Sequence, residues 1–124
     1  DEKDADAYNY IAYEYADKGE NLEEALALAK KALALDQVNA AYLDTLAWIF
    51  FKKGMPDEAL DYMQRSLKAM QAGKAEESIF YEHLGAIYAQ KGLRESAVDS
   101  LRKAVLLAPD NQSLKEKLKK LENK

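Results

Sequence analysis

One pattern occurs three times in this chain and limits its fold more than any other feature. Ile11-Ala12, Tyr15, Gly19 and Ala25 recur as Leu46-Ala47, Phe50, Gly54 and Ala59, and again as Leu84-Gly85, Tyr88, Gly92 and Ala97. The second and third copies keep a constant offset of 38 residues at all five positions. The first copy leads the second by 35 residues up to Gly19 and by 34 from Ala25 onward, so one extra residue sits around Glu20-Asn21, in a turn where length changes are tolerated. The four residues by which 38 exceeds 34 fall between Ser66 and Ser78, and the reading places them in 71–77. A unit with a basic period of 34 cannot bury its apolar face alone and stacks on the next. Such arrays act by presenting a surface.

Within each copy the apolar spacing is helical. Tyr8, Ile11, Ala12 and Tyr15 recur at i, i+3, i+4, i+7, the stripe of an amphipathic helix over 7–18 that Gly19 ends. Asn21 is the expected N-cap of the next helix, with Glu23 and Glu24 in its first turn at the positive end of the macrodipole. Leu22, Ala25, Leu26, Ala29, Ala32 and Leu33 form its stripe, and the small Ala25 and Ala32 allow close helix approach. A second pair is expected at 39–53 and 56–70. Its first helix is apolar almost all round through Tyr42, Leu43, Leu46, Trp48, Ile49, Phe50 and Phe51, as suits a helix buried on two sides. A third pair falls at 77–91 and 94–108. Pro109-Asp110-Asn111 then breaks the chain before a last helix, 112–122, whose Leu114, Leu118 and Leu121 make a narrow stripe among lysines, a terminal cap with a polar outer face.

Tyr81, Leu84, Gly85, Tyr88, Gly92, Ala97, Leu101, Ala104 and Pro109 resemble the tetratricopeptide repeat (TPR) family in identity and spacing. The second copy departs from it at Ala47, Ser66 and Gln71, the first at Ala12 and Gln37. The resemblance implies an all-α, right-handed α-α superhelix (an α-solenoid) of three helix-turn-helix units plus a capping helix, seven helices in one domain over 5–124. The repeats are 5–38, 39–72 and 77–110, and residues 1–4 are expected to be disordered. The segment from Tyr42 to Trp48, followed by Gly54 and Glu58-Ala59-Leu60, looks like bacterial members of the family, including envelope-associated ones. The compartment stays open between cytoplasm and bacterial periplasm or envelope.

With 124 residues and 48% apolar content the chain can build one continuous core. The absence of Cys excludes disulfides and thiolate chemistry. No apolar run reaches the length of about 18 residues that a membrane span needs. The chain begins at Asp1, which suggests processing or upstream repeats.

Charge runs from acidic to basic. Residues 1–36 hold ten acids and four bases, 37–77 six and five, and 78–124 six and nine. Arg102, Lys103, Lys115, Lys117, Lys119, Lys120 and Lys124 could meet an anionic partner such as nucleic acid. Interspersed Glu116 and Glu122 and the lack of an aromatic platform favour a solvated cap instead, so nucleic acid is not expected as a partner. The single histidine, His83, follows Glu82 directly, and residues at i, i+1 do not share a helix face. No catalytic, metal or cofactor site assembles from the spacing, and the chain does not read as an enzyme.

In TPR arrays the first helix of each pair lines a concave groove. Carried onto this sequence, the lining positions not used for packing are Asp6, Asn9, Tyr13 and Asp17, then Ala41, Asp44, Trp48, Phe51 and Lys52, then Ile79, Glu82, Ala86 and Gln90. Of these, Asn9, Tyr13, Asp44, Trp48, Phe51, Glu82 and Ala86 are the candidate peptide-binding residues. Family members that grip chaperone carboxyl termini place Lys, Asn and Arg here, and only Asn9 fits, with Asp44 and Glu82 opposing. The expected partner is a protein or peptide with apolar and basic side chains, anchored at Trp48, Phe51 and Tyr13. The competing reading buries Trp48 and Phe51 against a neighbouring helix or a second copy. A further alternative is that the apolar surface serves a homodimer or an upstream array, with Tyr10 and Tyr13 at the interface.

Overall fold

The structure is a computed structural model and describes residues 2–70 and 76–123. Among the described residues it is all-α, with seven helices. The sequence reading expects one domain over 5–124; the helices gather into two compact units, 1–70 and 71–124. The four residues expected in 71–77 fall largely on 71–75, outside the described residues. No described helix is long and apolar enough to cross a membrane.

The first unit holds α1 (Glu2–Lys18), α2 (Leu22–Leu35), α3 (Ala40–Lys52) and α4 (Pro56–Ala69). Helix α1 is helical from Glu2, so most of the segment expected to be disordered belongs to a helix. One physical reason is that Ala5, in its first turns, is buried against Ala32 of α2 and Tyr42 of α3, which anchors that end of the helix. Helix α3 packs on α1, α2 and α4, and eight of its thirteen residues are buried. Burying Leu46 and Ile49, both 0% exposed, contributes about 1.5–3 kcal/mol each. The Asn39 side chain caps α3 by accepting from the Tyr42 N–H at 3.1 Å.

The turns inside the pairs need a left-handed residue, and glycine supplies it at Gly19, Gly54 and Gly92, with φ between 70° and 79°. Between the glycine and the next helix the first pair has two residues where the other two have one, and it absorbs the extra residue through a second left-handed position, Asn21, at φ 50°. Asn21 therefore does not cap α2 with its side chain as expected. A side-chain cap needs an extended backbone at that position, and here only the Asn21 carbonyl serves the helix, accepting from the Ala25 N–H at 2.8 Å.

The second unit holds α5 (Glu76–Gln90), α6 (Arg94–Leu107) and α7 (Gln112–Glu122). Gly85 lets α5 and α6 approach: a Cβ there would stand 3.1 Å from Leu101 Cγ and 3.4 Å from the Ala97 carbonyl. The leucine stripe of α7 seats on α6, with Leu114 buried against Leu101 and Ala104 and with Leu118 and Leu121 beside them. Arg94 fixes the far end, donating to the carbonyls of Leu121 at 3.1 Å and Glu122 at 2.6 Å. Asn111 caps the near end, accepting from the Leu114 N–H at 3.1 Å. His83 is buried in α5, as a structural residue would be.

Candidate functional site

Two hydrogen bonds set α3 beside α1. The Tyr42 hydroxyl donates to Asp6 Oδ1, and the Lys52 ammonium, at the other end of α3, donates to the Asp17 carbonyl at 3.3 Å. Their sequence separations are 36 and 35. Near-equal separations at both ends mean that the helices run in the same direction, in register, one repeat apart. Between the two bonds, matching positions lie at matching levels: Asn9 of α1 with Asp44 of α3, and Tyr13 with Trp48. The strip from Asp6 to Asp17 is about 16 Å long at 1.5 Å per residue, long enough for an extended segment of about five residues.

Trp48 and Phe51, one turn apart on α3, stack with ring centroids 4.6 Å apart and planes at 13°. Both are half-buried. The pair is partly covered by its neighbours and partly open to solvent. The Lys52 ammonium lies 5.3 Å from the Trp48 ring centroid, a cation–π arrangement, so one face of the indole already carries a positive charge. Asn9 and Tyr13 are also half-buried. The Asn9 Oδ1 is buried and accepts no hydrogen bond, which is costly for a polar atom unless something supplies a donor.

Asp44 differs from its expected role as an open acidic group. It is 4% exposed and has an interaction of its own within the protein. The reason is its place on α3, where three neighbouring helices leave little open surface. The exposed acids of the strip are Asp6 and Asp17, at its two ends. The remaining candidates, Glu82 and Ala86, belong to α5 in the second unit. Glu82 ion-pairs with Lys117 of the capping helix, and Ala86 is half-buried. The strip thus brings together five of the seven candidates, Asn9, Tyr13, Asp44, Trp48 and Phe51.

Several bases of the second unit have partners inside it. Besides Lys117 with Glu82, Arg102 pairs with Glu122 at 2.9 Å. Lys103 lies 4.6 Å from the Tyr81 ring centroid, and its ammonium is held above the ordinary lysine range, first by the hydrogen bond with the Tyr81 side chain and then by charge from Tyr81 and Glu77. The second unit has an open concavity lined by Arg94, Glu95, Val98, Asp99, Arg102 and Glu122, and the first unit has one lined by Ala5, Asp6, Leu35, Asp36, Asn39 and Tyr42. Among the described residues no three His, Cys, Asp or Glu gather as metal ligands would. Sequence reading missed the Tyr42–Asp6 and Lys52–Asp17 bonds. The signal was available in the offsets, each within one residue of the 35-residue lead of the first copy.

Residues 78–111 match the tetratricopeptide repeat family model. The chain carries a tetratricopeptide repeat. Solved structures, TPR domains among them, extend the likeness to nearly all of the chain. The first TPR of Spaghetti (RPAP3), bound to the HSP90 peptide SRMEEVD, superposes with a TM-score of 0.82 at 18% identity, over 99% of this chain and 94% of that one. The second TPR domain of human RPAP3, in complex with the HSP70 peptide SGPTIEEVD, gives 0.79 at 19% identity over 98% of each chain. The Yersinia enterocolitica type III secretion translocator chaperone SycD gives 0.72 at 19% identity, over 95% of this chain and 78% of that one. At these identities the likeness is one of fold, and the fold is that of TPR domains. No curated protein matches the sequence significantly.

Proposed function

We propose that this TPR protein is an interaction module, an adaptor that binds a peptide or partner helix along the α1/α3 strip of its first unit and performs no chemistry itself. The observation that carries the reading is the pairing, on one strip, of a half-buried Trp48–Phe51 stack with the buried Asn9 Oδ1 that accepts no hydrogen bond. An extended peptide brings a further apolar side chain to the half-buried rings and a backbone N–H for the oxygen.

Charge selects which peptide. The neighbouring RPAP3 domains are in complex with peptides ending in EEVD, and acids of that kind suit Lys, Asn and Arg in the groove. Here only Asn9 and Lys52 have that character, with Lys52 engaged by the Asp17 carbonyl and the Trp48 ring; Asp6 and Asp17 close the two ends of the strip, and residues 1–36 carry ten acids against four bases. The favoured ligand therefore carries Lys or Arg beside apolar residues. Its cations belong at Asp6 and Asp17, since Lys52 already occupies a face of the indole.

Fluorescence anisotropy with two labelled peptides tests this: SRMEEVD, and the same peptide with its three acids replaced by lysine. The lysine form binds at least about tenfold more tightly, a difference of about 1.4 kcal/mol, and weakens as salt rises. The Trp48→Ala/Phe51→Ala variant loses that binding while keeping its helical circular dichroism. Equal or tighter binding of SRMEEVD overturns the charge assignment, and an affinity unchanged in the double variant overturns the site.

A further inference from the structure

Where α1 meets α3 the chain holds polar groups that packing does not require. Tyr42 of α3 is 3% exposed and sits against Ala5 and Ala32, yet its hydroxyl donates to Asp6 Oδ1. Comparison of the repeats marks this pair as an addition. At the offsets of 35 and 38 residues, the position of Tyr42 holds Ala7 in the first copy and Phe80 in the third, and that of Asp6 holds Ala41 and Ile79. Phe80 is buried as Tyr42 is, so a ring without a hydroxyl fills the equivalent place. The Tyr42 hydroxyl serves Asp6 instead: it holds the carboxylate through one oxygen and leaves Oδ2 for another donor.

The concavity that Asp6 lines with Leu35, Asp36, Asn39 and Tyr42 has a volume of about 210 Å³. That is below the about 300–1,000 Å³ of pockets that take a whole small molecule, and it suits one side chain. Asp36 is held as Asp6 is: Asn39 Nδ2 donates to its Oδ2 at 3.3 Å, which leaves Oδ1. Asp36 also closes the C-terminal end of α2, the negative end of the macrodipole, and the last turn of α2 carries no basic residue to offset it. An independent observation points to a ligand beside these groups. Asn9, three residues and about 4.5 Å along α1 from Asp6, has the buried Oδ1 that accepts no hydrogen bond. A peptide N–H seated on that oxygen brings an adjacent side chain to the level of Asp6, since an extended residue advances about 3.3–3.6 Å.

We propose, taking the α1/α3 strip as the peptide site, that this concavity is its subsite for arginine. A ligand guanidinium donates to Asp6 Oδ2 and Asp36 Oδ1 while its stem lies on Leu35, and Tyr42 and Asn39 are the positioning residues that aim the two carboxylates. Lysine is the poorer occupant. Its ammonium is a compact point charge, whereas the planar guanidinium spreads its donors in a fixed fork over two acceptors. The concavity lies on the α3 side of α1 and is walled by the ends of three helices of this chain, so anything stacked on the opposite side of α1 leaves it open.

Fluorescence anisotropy tests this with the labelled peptide SKMKKVK and its single lysine-to-arginine variants. Arginine at one position, near one end of the peptide, should tighten binding about fivefold over the all-lysine form, and at the others by less than about twofold. In Tyr42→Phe and in Asp36→Asn that gain should fall below about twofold, while the all-lysine peptide still binds and circular dichroism keeps its helical signal. A purely structural tyrosine would instead lower all the affinities together and leave their ratio unchanged, which overturns the assignment. No arginine preference at any position, with the all-lysine peptide bound, overturns the subsite and leaves the strip reading standing. A preference that survives both substitutions overturns it too; its loss in Trp48→Ala then puts the guanidinium on the indole. If none of the peptides binds, the strip reading fails and the subsite with it.

Discussion

Where the two helices of each pair cross, the facing side chains are small, and the repeat varies them in an ordered way. The same two positions hold Ala5 and Ala32 in the first pair, Ala40 and Ser66 in the second, and Ser78 and Ala104 in the third. The Ser66 hydroxyl donates across to the Ala40 carbonyl at 2.7 Å, and the Ser78 hydroxyl donates to the Ala104 carbonyl at 3.1 Å. One position gives in the second pair what it receives in the third. Because Ala5 and Ala32 are both buried, the crossing in the first pair closes on methyl groups alone, and the hydroxyl is an addition to a small-residue contact. Ser66→Ala should therefore lower stability by only about 0.5–1.5 kcal/mol, since the Ala40 carbonyl keeps its bond within α3. Ser66→Leu should cost about 1–3 kcal/mol by overpacking a site with no exposed surface. Urea midpoints measure both, and a Ser66→Ala loss as large as that of Ser66→Leu would refute the account. In the sequence Ser66 stands out only as a departure from the family's alanine. Its partner is a carbonyl 26 residues away, and no local pattern records such a pairing.

Helices fared differently from their ends. The bodies of α2 to α7 lie where the 3.6-residue spacing of apolar residues predicts them, because each has one stripe to bury and a glycine, asparagine or proline beside it. Two ends were set by other things. The start of α1 depends on Ala5 finding Ala32 and Tyr42, which are distant in sequence. The start of α2 depends on Asn21 adopting a left-handed backbone to absorb one extra residue, although an asparagine before an apolar run reads as a side-chain cap. Helix α7 shows the same division. Its leucine stripe marks it as a cap, yet the bonds that hold its C-terminal end come from Arg94 of α6, 27 and 28 residues before the carbonyls it binds. Arg94→Ala should loosen that last turn in particular. Amide hydrogen exchange in residues 118–123 should speed up about three- to tenfold, the effect of losing about 0.7–1.4 kcal/mol, while exchange in α5 stays as it was. Unchanged exchange in α7 would mean that the leucine stripe alone fixes the helix.

For the molecule as a whole, the question is how much of it the peptide site requires. The reading from sequence spread seven candidates over three repeats, because position within a repeat is all that spacing can report. Five of them fall on α1 and α3 within the unit of residues 1–70, while Glu82 is committed to Lys117 of the cap and Ala86 offers a single methyl group. What the spacing hides is engagement: Asp44 and Glu82 read alike as acids at equivalent positions, and one is buried while the other is ion-paired. A fragment of residues 1–70 therefore makes a sharp test. It contains both helix pairs and the helix α3 that packs on α1, α2 and α4, together with the Tyr42–Asp6 and Lys52–Asp17 bonds that set the strip. Its small core makes it less stable than the whole chain, so binding is measured well below its melting temperature, once circular dichroism confirms its helices. Under those conditions the fragment should bind the lysine-substituted peptide within about threefold of the whole chain, a difference below about 0.7 kcal/mol. If a folded fragment instead loses more than about tenfold in affinity, Glu82, Ala86 or other residues beyond 70 contribute to recognition, and the site is not confined to α1 and α3.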